Sequence, residues 1–164
     1  MATPLGHSIV GYTLARAAGV KSLKGLAASL GAACLPDIDF ALGYVAHGDP
    51  LSLHREVITH KPAFPFLVGA ATGLAAAGLA LLRGRLPAPV DVLRPAFLAT
   101  ALVGSHLIMD PLPLPYDDRE PRWASLRQVV VAQAWNAVVD LTVYGGLAFL
   151  VLSNGAAKEQ AVQT

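Results

Sequence analysis

FPFLVGAATGLAAAGLALL, residues 64–82, carries no charged side chain. As a helix it is long enough to cross a hydrocarbon core of about 30 Å. The competing reading is a buried helix in a soluble bundle, and composition decides between them. The chain is 54% hydrophobic and only 14% charged, with mean hydropathy +0.53. An average soluble domain is nearer ~25% charged. A deficit of that size implies hydrocarbon, not water, around much of the surface. Within the segment, Gly69 and Gly73 form a GxxxG pair with Ala77 one step on, which lets another helix come close.

Outward from this segment the pattern repeats. RGRLPAPVDVLRP, residues 83–95, reads as a helix break, with Pro87, Pro89 and Pro95 as punctuation. Residues 96–109 follow as a shorter apolar helix, and residues 129–152 as a third strong one, long enough to span with some tilt. In the last, Gln133, Asn136 and Asp140 recur at helical spacing and share a face. A carboxylate there faces the interior, either as a structural hydrogen-bonding group or as support for a ligand. Residues 8–18 and 22–35 read as a helical hairpin turning near 19–24, its arms short tilted spans or re-entrant helices. The N-terminal stretch has no charge before Arg16, so it reads as part of the mature fold and not as a signal peptide. The expectation is all-α: a multi-pass transmembrane helical bundle, residues 1–152 forming one membrane-embedded domain and 153–164 a frayed polar tail.

The polar residues gather where these helices end. His7 precedes the first, Asp37 and Asp39 follow the second, His54 and His60 precede the third, and His106 and Asp110 close the fourth. With the helices alternating up and down, all fall at one end of the bundle. His106 and Asp110 are i, i+4 and project from one helical face. Asp37 and Asp39 are i, i+2 at a helix end that Pro36 helps to break. Clustered carboxylates repel, whereas a divalent cation neutralises them and accepts neutral imidazole nitrogens. Mixed N and O donors suit zinc, manganese or iron better than calcium. There are enough candidates for one or two ions, and two would match a two-metal hydrolytic site. His47, in AHGDP, reads as a solvated turn residue. A net charge of +1 without a basic stripe excludes nucleic acid as a partner. The single cysteine excludes an intrachain disulfide, and no GxSxG is present.

The pieces GH at residues 6–7, LPDID at 35–39, HREVITH at 54–60 and SHLIMD at 105–110 occur in that order. Together with PLPLPY after the last, they resemble the membrane-bound metal-dependent hydrolases. That group includes the LexA-binding, inner-membrane-associated hydrolases. The resemblance covers Gly6 to about Leu126. It implies a multi-pass membrane protein with a metal-dependent hydrolase site formed by His7, Asp37, Asp39, His54, His60, His106 and Asp110. The family commonly has HRGxTHS. Here HREVITH has one residue more between the histidines, Glu56 stands near the glycine, and Lys61 replaces the serine. In this pattern Thr59 would orient a ligand, and Arg55 would hold a substrate anion or pair with Asp49 or Glu56.

The mechanism this suggests is hydrolysis by a metal-activated water, with Asp39, or else Glu56, as general base and Arg55 on a phosphoester of a small molecule or lipid. Two other functions are open: a non-enzymatic metal-binding membrane scaffold or regulator, and an ion or proton pathway through Asp140. Seven basic residues (Arg16, Lys21, Lys24, Arg83, Arg85, Arg94, Lys158) fall at the end opposite the polar cluster. Five (Arg55, Lys61, Arg119, Arg122, Arg127) fall with it. The positive-inside rule then places the cluster on the non-cytoplasmic side of the cell membrane, the inner membrane in a bacterium. Trp123 and Tyr116 suit an interfacial belt there or ordinary loop packing.

Overall fold

The computed structural model describes residues 3–48, 52–53, 56–110 and 126–163, and only the backbone of 126–133 and 155–163. Among these residues there are α-helices and two 3-10 turns, and no strand. They divide into two compact units, one of Met1–Leu30 with Ile108–Thr164 and one of Gly31–Leu107.

In the first unit, α1 (Pro4–Ala17) begins with proline at a position where no N–H is needed. It ends at Gly19, whose φ of 80° a residue with a side chain rarely adopts. The chain then enters α2 (Leu23–Ala33), whose last residues belong to the second unit and whose start is capped by Ser22 Oγ accepting from Gly25 N at 3.1 Å. The two helices fall where the two arms were expected. α1 lies along α6 (Leu126–Gln163), and Ile9 and Val10 pack on buried Met109 and Tyr144. The α6 backbone stays helical well past Leu152, through residues that read as a frayed tail.

In the second unit, Pro36 starts a 3-10 turn, Leu35–Asp37, that leads straight into α3 (Ile38–His47). This helix is absent from the sequence reading, which has the chain leave helical structure at Pro36. The turn redirects the chain without ending helical structure. A second 3-10 turn, Ile58–His60, precedes α4 (Phe64–Leu82). α5 (Pro89–Met109) begins seven residues before the expected Ala96. Pro89 opens it, Asp91 sits favourably in its first turn, and Pro95 lies inside it. An internal proline removes one backbone bond, which membrane helices tolerate. The GxxxG pair of α4 is where α5 approaches. A Cβ on Gly69 would collide with Thr100 Oγ1 and stand 2.9 Å from the Ala96 carbonyl. One on Gly73 would stand 3.2 Å from the Ala96 Cβ.

Burial is inverted relative to a protein dissolved in water. Leu82, Leu74, Phe149 and Phe97 are 87%, 73%, 71% and 70% exposed, while His7, Asp39, His106 and Asp140 are at most 1% exposed. Large apolar side chains outside and ionisable ones inside require a hydrocarbon solvent. Three helices are long and apolar enough to cross a membrane: Phe64–Leu82, Pro89–Met109 and Ala134–Asn154. The pair α2 and α3, taken as one broken span, would make a fourth. The soluble-bundle reading of residues 64–82 is thereby excluded.

The α4–α5 contact makes a prediction. Gly69→Leu should lower stability by about 1–3 kcal/mol through overpacking, whereas Gly78→Leu, with nothing within 4 Å of its Cβ position, should leave it unchanged. Thermal unfolding in detergent measures both, and equal effects at the two positions would contradict the packing described.

Candidate metal-ligand clusters

The second unit brings four of the expected residues together, each positioned by a different element. Asp37 ends the first 3-10 turn, Asp39 lies in the first turn of α3, His60 ends the second 3-10 turn, and His106 lies in the last turn of α5. The His60 and His106 rings meet edge to face, centroids 5.4 Å apart and planes at 70°.

Each histidine is held by its Nδ1. His60 Nδ1 donates to Asp39 Oδ2 at 2.6 Å, a short charge-assisted bond between fully enclosed groups. Thr59 Oγ1 donates to the same oxygen at 3.2 Å, so this hydroxyl orients the carboxylate. His106 Nδ1 lies 2.8 Å from the carbonyl oxygen of Ala33. A carbonyl can only accept, so Nδ1 carries the hydrogen. Ala33 is the last residue of α2, where carbonyls lack intrahelical partners. The imidazole therefore satisfies a helix end as it is oriented by it. With Nδ1 engaged, coordination by either ring goes through Nε2. His106 Nε2 stands 3.3 Å from Asp37 Oδ1, and that buried oxygen accepts no hydrogen bond among the described residues.

In the first unit His7, on α1, places its Nε2 3.4 Å from Oδ1 of Asp110, the residue that follows α5. Both are enclosed. Asp140 is one helical turn from Asn136 on α6 and receives the N-terminus of α1. Its Oδ2 accepts from Thr3 N at 2.8 Å, from Gly6 N at 3.2 Å and from the Thr3 hydroxyl. Of the two readings of Asp140 left open by the sequence, this is the hydrogen-bonding one.

His54 and Arg55 lie outside the described residues, as do Asp49, Tyr116, Arg119, Arg122 and Trp123. Glu56 is exposed, unlike Asp39, and His47 is exposed at the end of α3. Sequence reasoning missed three participants, the Ala33 carbonyl, Thr3 and Gly6. A carbonyl has no residue-type signature. Gly6 has one in the GH pair, but its reason lies 134 residues away in Asp140.

A chain with apolar helices facing outward and histidine–carboxylate pairs enclosed within is a multi-pass helical membrane protein. Its sequence matches the family model described as YdjM inner membrane protein over residues 1–152, and the chain belongs to that family, which resides in the inner membrane. Comparison with curated proteins and with solved structures found no match.

The buried pair is expected to matter more than the exposed one. Asp39→Ala leaves His60 and Thr59 without their acceptor and should cost about 3 kcal/mol. Asp91→Ala breaks a 3.9 Å pair with Arg85 whose side chains are half exposed, and should cost well under ~1 kcal/mol. Unfolding midpoints in detergent would show this order, and a reversed order would contradict it.

Proposed function

We propose that this chain is a membrane-bound metal-dependent hydrolase. The observation that supports it is the approach of His106 Nε2 to Asp37 Oδ1. With Nδ1 carrying the hydrogen, a neutral His106 presents a lone pair at Nε2, and Asp37 presents another. Two lone-pair atoms at 3.3 Å repel unless a positive charge stands between them. Donors that share one ion at about 2.0–2.2 Å lie roughly 2.9–3.4 Å apart. A proton on Nε2 would instead make the contact an ion pair. The donor chemistry therefore fits a divalent transition metal, zinc, manganese or iron.

In this proposal Asp37 and His106 are ligands, and His60 is a ligand through Nε2. Asp39 holds His60 in the carboxylate–histidine arrangement common around metals, which fixes the orientation of the ring. That arrangement, with Oδ2 already engaged twice, favours an orienting role for Asp39 over general base. The resemblance to membrane-bound hydrolases adds His7, Asp110 and His54 as further donors and Arg55 as the residue that holds a substrate anion. A bound cation of this kind supplies Lewis acidity and lowers the pKa of a water. The substrate class that suits an arginine such as Arg55 is a phosphoester, either a lipid or a small soluble molecule.

Metal content of detergent-purified protein tests the proposal. Wild type supplied with zinc or manganese should retain one or two ions through dialysis. An Asp37→Ala/His106→Ala variant that keeps its helical circular dichroism should lose bound metal, as should His106→Ala/Asp110→Ala. Absence of metal in wild type would sink the proposal. Metal without hydrolysis of bis-p-nitrophenyl phosphate or of phosphatidic acid in mixed micelles would favour a metal-binding scaffold instead.

A further inference from the structure

A carboxylate in the middle of a membrane-spanning helix costs several kcal/mol unless compensated. Asp140, in the span Ala134–Asn154, is 0% exposed. Its compensation comes from the start of α1. Thr3 flanks that helix at its N-terminus but makes no capping bond with its own side chain to the helix backbone. Its N–H, its hydroxyl and the N–H of Gly6 all donate to Asp140 Oδ2. The carboxylate thus caps the helix from another helix and sits at the positive end of its dipole.

The fit is tight enough to dictate a residue type. A Cβ on Gly6 would stand 2.7, 2.8 and 2.9 Å from Asp140 Cγ, Oδ2 and Oδ1. All three are closer than such atoms come, so any side chain at position 6 drives the carboxylate off the helix end. The residue after Gly6 is His7, whose Nε2 stands 3.4 Å from Asp110. The cap therefore acts on the turn of α1 that carries this histidine.

We infer that Asp140 is a positioning residue for His7: by capping α1 across Gly6 it fixes the height and rotation of the turn from which His7 reaches Asp110. As a contribution to metal binding, this role rests on the hydrolase proposal above. The geometric part stands without it.

The test reads His7 itself, in full-length protein in detergent. Diethyl pyrocarbonate modification of each histidine is followed by peptide mass spectrometry, with chelator present so that no metal is needed. Asp140→Ala and Gly6→Ala should each raise the modification rate of His7 by about tenfold, the ~1.4 kcal/mol typical of a lost helix cap. His60 and His106 should react as in wild type. Asp140→Asn keeps an acceptor oxygen and should restore most of the protection. Because both residues act through one contact, Gly6→Ala/Asp140→Ala should exceed neither single variant. With zinc added, Asp140→Ala should weaken metal affinity by roughly 10–100-fold. Unchanged His7 reactivity overturns the inference, as does a parallel rise at His60 and His106, which would mark general loosening. Unchanged zinc affinity in Asp140→Ala overturns the metal part. A wild type that binds no zinc defeats the hydrolase proposal while leaving the His7 result readable.

Discussion

A polar atom inside a bilayer has no water to fall back on, and this constraint organises both units. In water, a buried donor or acceptor that loses its partner can recover much of the loss by local opening. In hydrocarbon the alternative is an unsatisfied group at several kcal/mol. Several enclosed ionisable residues are matched by another part of the chain, although one oxygen each of Asp37 and Asp140 accepts no hydrogen bond among the described residues. Asp39 is matched by His60 and Thr59, His106 by the Ala33 carbonyl, and Asp140 by Thr3 and Gly6. These matches join elements that are far apart in sequence, so they specify the tertiary arrangement within each unit more sharply than the apolar contacts do. Lipid competes for an apolar helix face on equal terms, whereas it offers nothing to a carboxylate.

Helix ends supply two of these matches. The last residue of α2 offers its carbonyl to His106, and the first turn of α1 offers its N–H groups to Asp140. In a soluble protein water would satisfy many such groups. Here the orphan groups of one helix meet the side-chain needs of another. This relation explains why small residues and backbone stand where larger side chains would otherwise fill space. Gly6 is the clearest case, because the carboxylate occupies the volume of its missing Cβ.

Much of the fold was legible from apolarity alone. The charge-free run of residues 64–82 marks α4, and its GxxxG pair marks the face that α5 meets. The break between α1 and α2 was legible from its turn residues. What apolarity could not show was continuity across proline. Pro36 and Pro95 both look like stops, yet one opens a 3-10 turn that feeds α3 and the other is absorbed inside α5. Proline removes one donor and restricts the residue before it, and whether a helix ends there depends on what satisfies the freed carbonyl. The residue types of the candidate site were legible from their positions at helix ends. Their pairing was not, because the i, i+2 spacing of Asp37 and Asp39 suggests one shared space. The structure instead gives Asp37 to His106 and Asp39 to His60.

That division of labour bears on the metal-binding reading proposed above. Two histidines kept only for stability could be anchored by either ring nitrogen. In the second unit both are anchored by Nδ1, one on a carboxylate and one on a backbone carbonyl. The anchors differ in charge, a carboxylate for His60 and a backbone carbonyl for His106, and His106 has a second carboxylate, Asp37, 3.3 Å from its Nε2. On the metal-dependent reading proposed above, the Nδ1 anchor matters because it directs Nε2 of His106 toward Asp37, where the two would share a cation.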